Sequence, residues 1–364
     1  MIVKQVTDIL EELAPLAFAE DFDNVGLLVG NSQLEVTGIL VTLDTLEQVV
    51  DEAIEKNCNL IVSFHPIIFG GLKKLTGSNY VQRVVIKAIQ HHIAIYSMHT
   101  ALDNAKQGVN AKICEVLGLK NTRILIPQKG TIKKLTTYVP KKDAAQLKQA
   151  LYACGAGAIG NYSNCSFSTE GIGSYKAGEN AHPTKGSIGE THLEEETQIH
   201  LTYSRAIEQK IIQTLLQQHP YEEVAYEIQT LDNMNQHIGM GMVGELEIPQ
   251  DEKEFLAFIK EKMHASCIRH SELLGKKIKT IAVLGGSGAF AISAAKTVNA
   301  DIFISADIKY HQFYEAEGKL IIADIGHYET EQFTKNLLVD YLTKKIPNFA
   351  IRLSDCKTNP IKYF

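Results

Sequence analysis

The sequence predicts an α/β fold: a discontinuous α/β domain at 1–126 and 239–364, with an inserted α+β domain at 127–238. The chain has 364 residues, and domains of ~150 residues are typical, so about two domains are expected. Apolar strand-like runs alternate with helix-like runs at both ends of the chain. The middle instead carries strands of alternating apolar and polar residues, which are typical of half-buried antiparallel sheets.

The first part of the discontinuous domain alternates between helix-like and strand-like apolar patterns. The predicted elements are helices at 3–13, 46–56, 79–91 and 108–117, and strands at 38–43, 60–63 and 93–96. The last part repeats the pattern. Its predicted elements are helices at 251–263, 289–298 and 332–345, and strands at 279–284, 302–305 and 320–323. Because these strands are apolar throughout, we expect a sheet covered on both faces.

The inserted domain has a different order of elements. Its predicted strands are 135–139, 165–170, 197–203 and 224–229, and its predicted helices are 142–152 and 205–218. The order β-α-β-β-α-β is that of the ferredoxin-like fold. Glycine- and asparagine-rich stretches flank the inner strands.

Composition limits the classes of function. The net charge of -6 and the pI of about 6.1 argue against a nucleic-acid-binding surface. The six cysteines are scattered without a C-x-x-C pair, which indicates reduced thiols in a cytoplasmic protein. The sequence has no apolar segment typical of a signal peptide and no apolar run of ~18 residues, so no membrane association is expected.

A candidate metal motif covers residues 324–331, between an apolar strand-like run and a helix-like run. His327 and Glu331 are four residues apart and therefore share one face of a helix. An imidazole and a carboxylate so placed suit a divalent metal. The alternative interpretation is a helix N-terminus with acidic residues, which the helix dipole favours.

Two other predicted strand ends carry similar side chains. His65 follows the strand at 60–63, and His99 and Asp103 follow the strand at 93–96. Ligands of open α/β sheets bind at the carboxyl ends of the strands, so these side chains and the motif at 324–331 are expected to meet. The candidate ligands are His65, Asp103, His327 and Glu331, a nitrogen and oxygen set that suits Zn²⁺, Fe²⁺, Mn²⁺ or Co²⁺.

Each of these residues also has a structural interpretation. His65 alone fits a loop histidine, His99 a core histidine or one that orients a ligand, and Asp103 a turn or helix cap. Gly285-Gly-Ser-Gly288 fits a tight turn between strand and helix better than an anion site. Likewise, Lys309 and His311 either contact a charged substrate or lie in a solvated loop.

Six motifs together resemble the Nif-three-like family, whose members are often named GTP cyclohydrolase I type 2 homologs. They lie at 22–27, 63–69, 99–104, 285–288, 306–311 and 324–331, in the family's order and nearly from end to end of the chain. Residues 160–163 and 219–223 are similar to the insert of the family's long members, which has a PII/CutA-like ferredoxin fold.

The resemblance implies a dinuclear metal site with His65, Asp103, His327 and Glu331 as ligands. Phe64 stands where the family usually has a second histidine, so one or two metals per subunit are expected. The resemblance also implies a homohexamer, a ring built from trimers and dimers with the sites facing its interior.

Two functions follow from these observations. The first is a metal-dependent hydrolase that activates water against a small nucleotide-like or phosphate-bearing substrate, with GTP cyclohydrolase-type activity as the family label. His99 or His311 would serve as the catalytic group for proton transfer. The alternative is a non-enzymatic metal-binding or regulatory oligomeric protein, because a fold or family does not fix a function.

Overall fold

A computed structural model describes residues 1–364, which form two compact units. The first, here called the outer unit, comprises Met1–Pro127 and Gln236–Phe364, and the second, the inserted unit, comprises Gln128–Asn235. The strands are β1 Gly26–Val29, β2 Ile39–Thr42, β3 Leu60–Ser63, β4 Ala94–Ser97, β5 Lys120–Gln128, β6 Ile132–Pro140, β7 Phe167–Lys176, β8 Thr191–Ser204, β9 Tyr226–Leu231, β10 Asn235–Gln250, β11 Arg269–His270, β12 Ile278–Ser287, β13 Ile302–Ala306, β14 Ile321–Asp324 and β15 Ile351–Leu353.

Eleven α-helices connect or cover these strands. They are α1 Val3–Leu13, α2 Glu47–Glu55, α3 Tyr80–Gln90, α4 His99–Asp103, α5 Val109–Val116, α6 Ala144–Ala153, α7 Glu208–Gln218, α8 Glu252–Lys262, α9 Ile292–Thr297, α10 His327–Glu331 and α11 Thr334–Lys345. No helix combines the length and the apolar character needed to cross a lipid bilayer.

The first sheet of the outer unit has the strand order β1-β4-β3-β2-β15. Strands β15, β2, β3 and β4 are parallel, and β1 is antiparallel to β4. Every residue of β2, β3 and β4 is buried, as their continuous apolar runs predict. Helices α2 and α3 pack on one face of this sheet through an apolar cluster that includes Val49, Ile61 and Val84.

The second sheet of the outer unit has the strand order β11-β14-β13-β12-β10-β5. Its middle strands β12, β13 and β14 are parallel, whereas β10 and β11 pair in the antiparallel direction. One apolar cluster contains inner residues of both sheets, among them Val62 and Tyr96 from the first and Ile304 and Ala323 from the second. The fold is therefore mixed α/β, as the sequence predicts, but it contains two outer sheets rather than one.

The inserted unit contains a four-stranded antiparallel sheet with the order β7-β8-β6-β9. Its core joins Leu135 and Leu201 of the sheet to Leu147 of α6 and Leu215 of α7. Along the chain its elements follow one another as β6-α6-β7-β8-α7-β9.

The helix predicted at 332–345 begins later than expected, and His327 and Glu331 do not belong to it. They form the separate five-residue helix α10, and α11 begins at Thr334. Gln332 lies between the two helices, where its side-chain amide donates to the carbonyl of Met263, 2.7 Å away. This contact with a distant segment favours a break that the local pattern does not reveal.

Hydrogen bonds to the buried carboxylate of Glu52 hold the C-terminal segment after β15 against α2. Glu52 accepts hydrogen bonds from Lys56 Nζ at 2.5 Å, Ser354 Oγ at 2.5 Å and the Asp355 amide at 2.8 Å. Burial opposes ionisation of this carboxyl group, but the three donors outweigh it and lower the pKa of Glu52 to about 2. The ionised form therefore stabilises the folded chain.

We expect Glu52→Gln to lower the free energy of unfolding by about 3 kcal/mol at pH 7, from the difference between the folded pKa and the ordinary value of 4.5. A folded-state pKa below the unfolded one gives stability that is present above about pH 4.5 and is lost as the pH falls toward 2. Thermal unfolding between pH 7 and pH 3 measures this. The melting temperatures of Glu52→Gln and of the unaltered chain should converge as the pH falls. A difference in melting temperature that stays constant with pH would contradict the ionised state assigned to Glu52.

Candidate metal centre

The carboxyl ends of the parallel strands in both outer sheets bring three of the four candidate ligands together, namely His65, His327 and Glu331, and Asp103 is not in that group. His65 follows β3, and the helix α4, which starts at His99 and ends at Asp103, follows β4. On the second sheet, α10 follows β14 and presents His327 and Glu331. Within each sheet the parallel strands end at a common edge. The two sheets share one apolar cluster, and residues more than 200 positions apart in sequence meet where those two edges come together.

Three side chains converge on one point. His65 Nε2 lies 3.0 Å and His327 Nε2 lies 3.2 Å from Glu331 Oε2. The ligand atoms of these three residues all lie within 4.8 Å of one another. Glu331 Oε2 is nevertheless buried without a hydrogen-bond partner, because neither contact has hydrogen-bond geometry. Such a His-His-Glu group could hold a metal ion.

On the side of each imidazole opposite Glu331, a carboxylate contacts Nδ1 and orients the ring. His65 Nδ1 lies 2.8 Å from Asp44 Oδ1, and His327 Nδ1 lies 2.7 Å from Asp307 Oδ2. An Nδ1–H that donates to a carboxylate leaves the Nε2 lone pair free for a metal. Asp44 and Asp307 were not among the sequence candidates, although they follow β2 and β13 and the rule of strand ends applies to them equally.

Asp103 supplies a second buried carboxylate with an unused oxygen. Its Oδ1 is buried and has no hydrogen-bond partner. Burial, and then the negative charge of Glu331, raise the pKa of Asp103 well above its ordinary value. A buried carboxylate oxygen without a partner is costly, and a bound cation held by Asp103 would remove that cost. The residues present therefore fit a divalent metal.

The charges of the cluster are strongly coupled. Burial raises the pKa of Glu331, but the imidazoles of His327 and His65 outweigh this effect and lower that pKa to about 2. Against the effect of burial, Asp44 and Glu331 raise the pKa of His65 to about 10, and Glu331 and Asp307 raise that of His327 to about 9. Without a metal the two imidazoles thus carry protons at neutral pH, and a metal must displace them.

Comparison with known proteins agrees with this fold and shows the family. A family model described as Duf34/NIF3 (NGG1p interacting factor 3) matches residues 1–360. The chain belongs to the DUF34/NIF3 family. The resemblance inferred from the six motifs is thereby confirmed.

Relatives of this family match along the whole chain. A Bacillus subtilis (strain 168) protein named GTP cyclohydrolase 1 type 2 homolog is 36% identical over 370 residues, which cover 99% of this chain and 98% of the relative. A Staphylococcus aureus (strain COL) protein of the same name is 34% identical, with 100% of both chains covered. The crystal structure of a Bacillus cereus protein related to NIF3 superposes with a TM-score of 0.85 at 34% identity, covering 100% of this chain and 99% of that one.

Phe64, which directly precedes His65, is a buried apolar side chain. It is 0% exposed, and its ring centroid lies 4.9 Å from that of His65 and 5.5 Å from that of His99. The ring therefore packs against both imidazoles and offers no ligand atom. It fixes their positions by contact instead.

The two catalytic candidates differ in their surroundings. His99 Nδ1 lies 2.8 Å from Asp23 Oδ1, and the His99 ring centroid lies 5.3 Å from that of His65. His311 is exposed and packs against the rings of Tyr310 and Tyr314. The structure thus brings His99 to the edge of the cluster, whereas the ring contacts of His311 are with tyrosines outside it.

The glycine motif at 285–288 makes room for the cluster. The Gly285 amide donates to Asn110 Oδ1 and the Gly286 amide to Thr330 Oγ1, each at 2.9 Å. These amides are used internally, so the segment is not a free anion site. The turn predicted here is wrong for Gly285 and Gly286, which belong to the end of β12, where the pairing with β13 shifts register between Val283 and Ser287. Gly286 has φ of 70°, and a Cβ atom there would overlap Glu331 Oε1.

We expect Asp307→Asn to weaken divalent-metal binding by about 10- to 100-fold, because the amide cannot hold His327 in the tautomer that exposes Nε2. Competition titration of the metal-free protein with a chromogenic chelator measures the affinity. Asp51→Asn is the control, since that carboxylate pairs with Lys87 on the surface of α2. Equal affinities for the two variants would contradict the role of Asp307.

Proposed function

We propose that the chain is a metal-dependent hydrolase-like protein that acts on a small nucleotide-like or phosphate-bearing substrate. The observation that carries this proposal is the convergence of His65 Nε2 and His327 Nε2 on the buried Glu331 Oε2. We propose Asp103 as the fourth ligand, because its Oδ1 is buried and has no hydrogen-bond partner. We propose Zn²⁺, Fe²⁺, Mn²⁺ or Co²⁺ as the metal, because the ligand set mixes imidazole and carboxylate.

Each residue has a distinct role in this proposal. His65, Asp103, His327 and Glu331 hold the metal, which supplies Lewis-acid activation of water when bound. Asp44 and Asp307 keep the imidazole Nδ1 atoms protonated. His99, oriented by Asp23, is the candidate for proton transfer nearest to the cluster. His311 remains a second candidate from the sequence. Because Phe64 offers no ligand atom, we propose either a single metal or a second metal that is held more weakly.

Aromatic side chains beside the cluster support a planar substrate ring. Phe22 and Phe69 are 67% and 54% exposed, and their ring centroids lie 6.5 Å apart. The Phe69 centroid lies 6.2 Å from that of His99. Exposed rings next to a polar site can stack on a heterocyclic base. The relatives named GTP cyclohydrolase 1 type 2 homolog agree with a nucleotide-like substrate.

We further propose a cytoplasmic homohexamer, on the strength of family membership. The domain boundaries proposed are 1–126 with 239–364 and 127–238. The β-α-β-β-α-β order and antiparallel sheet of the inserted unit support a ferredoxin-like, PII/CutA-like domain. Nucleic acid and membrane are not proposed as partners.

Turnover of GTP and of a panel of phosphoesters by the metal-loaded chain tests the activity. We expect hydrolysis to depend on added metal and to fall by at least about 100-fold in Asp103→Asn, which keeps the side-chain shape but removes the charge. Asp340→Asn, on the exposed side of α11, is the control. Absence of turnover with every substrate, at full metal occupancy, would favour the non-enzymatic metal-binding role instead.

A further inference from the structure

The inserted unit contains a cavity of its own. Its volume is about 400 Å³, within the range of ~300–1,000 Å³ typical of small-molecule sites. It lies on the sheet face turned away from α6 and α7. Leu135, Val139 and Leu201 belong to the core that faces the helices, and successive side chains of a strand point to opposite faces of the sheet. Tyr138 and Glu196, one residue out of phase with that core, therefore line the cavity.

Three tyrosine rings form the walls of this cavity. Tyr138 and Tyr175 belong to β6 and β7, and Tyr221 follows α7. The Tyr175 and Tyr221 ring centroids lie 6.1 Å apart with an interplanar angle of 63°. A ligand between two rings inclined in this way can contact the face of one ring and the edge of the other.

Hydrogen bonds hold each of these rings by its hydroxyl. Tyr138 Oη accepts from Gln198 Nε2 at 3.2 Å, and Tyr175 Oη donates to the Lys185 carbonyl at 2.8 Å. Tyr221 Oη donates to Glu196 Oε1 at 2.8 Å. With their hydroxyls engaged, the rings are pre-organised and offer their π surfaces to a ligand.

The charge of the cavity is negative. Glu196, Glu222 and Glu223 are among its lining residues, and no lysine or arginine is. Glu196 extends over Gly173, where a Cβ atom would overlap Glu196 Oε2. The glycine therefore leaves room for the carboxylate at the wall of the cavity. Tyrosine rings and a carboxylate around one space both attract an organic cation.

We propose that this cavity binds a small organic cation of the substituted-ammonium class, held by Tyr138, Tyr175 and Tyr221 and neutralised by Glu196. Anionic ligands fit poorly, since the lining offers carboxylates and no cationic side chain. A strongly hydrated metal ion gains little from aromatic walls, whereas an ammonium group with methyl substituents contacts them without losing a tight hydration shell.

Isothermal titration calorimetry of the full chain with choline chloride tests the charge requirement. The neutral isostere 3,3-dimethylbutan-1-ol has the same shape with carbon in place of nitrogen. We expect saturable choline binding at one site per chain, at least about tenfold tighter than binding of the alcohol. Equal affinity for both, or no saturable binding of choline, would overturn the proposal.

Two variants locate the site. Glu196→Gln keeps an acceptor for Tyr221 and should weaken choline binding by about tenfold. Glu195→Gln removes the same charge from the neighbouring exposed position on β8 and should leave the affinity unchanged. Equal losses in the two variants would overturn the assignment. Circular dichroism checks folding, and if Glu196→Gln does not fold, the choline and alcohol comparison on the unaltered chain decides.

Discussion

Replacing Glu331 with glutamine is expected to reduce divalent-metal affinity by more than about 100-fold, the largest effect among single ligand changes. Glu331 is the only carboxylate in contact with both imidazoles, through Oε2 at 3.0 Å from His65 and 3.2 Å from His327. Glutamine keeps the size of the side chain but removes the negative charge that a cation would neutralise. Metal content per chain after reconstitution, and chelator competition, measure the loss.

Glu329→Gln provides a matched control for that experiment. Glu329 lies on the same helix, is buried to a similar degree, and its Oε1 accepts from Asn359 Nδ2 at 3.1 Å, away from the cluster. If α10 were merely damaged by loss of a buried charge, both variants would lose metal alike. A Glu331→Gln protein that retains full metal content would contradict the central role of this carboxylate.

Buried, regular elements of the fold are readable from the sequence. The helix predicted at 3–13 and the strand at 60–63 coincide with α1 and β3, because apolar periodicity and tertiary burial agree there. Strand β10, which the sequence pattern does not predict, carries glycines that weaken strand propensity. One of them, Gly241, is required by close packing, since a Cβ there would lie 2.9 Å from the Val283 carbonyl.

Long-range pairing accounts for another strand that was not predicted. Strand β15 has three residues and pairs with β2, more than 300 positions earlier in the chain. Local periodicity over three residues cannot distinguish a strand from a loop. That pairing adds the C-terminal segment to the first sheet, next to β2, the strand that precedes Asp44.

The site was predictable to the extent that it depends on strand ends. His65, His327 and Glu331 were placed together from sequence because each follows a buried parallel strand. Asp44 and Asp307 also follow strand ends, but their contacts with the imidazoles depend on backbone turns that sequence periodicity does not encode. Asp307 has φ of 56°, in the left-handed region that non-glycine residues rarely adopt, and its carboxylate lies against His327 Nδ1. Tertiary contacts select this conformation.

Replacing Gly286 with alanine is expected to disrupt the metal centre without changing any ligand. The residue has φ of 70°, which costs an alanine about 1–2 kcal/mol in backbone strain. The added Cβ would overlap Glu331 Oε1 and would lie 3.4 Å from His327 Cε1. The carboxylate must therefore move away from the point where the two Nε2 atoms converge, and we expect a loss of metal affinity of at least about tenfold.

Gly178→Ala separates this effect from the general cost of replacing a glycine. Gly178 has no atom within 4 Å of an added Cβ and no positive φ. It should bind metal as the unaltered chain does, whereas Gly286→Ala should show weaker metal binding together with a lower melting temperature. Combining Gly286→Ala with Glu331→Gln distinguishes displacement of the carboxylate from displacement of a histidine. If the glycine acts through Glu331 alone, the double variant binds metal no more weakly than Glu331→Gln. A further loss in the double variant would show that the new methyl group also displaces His327.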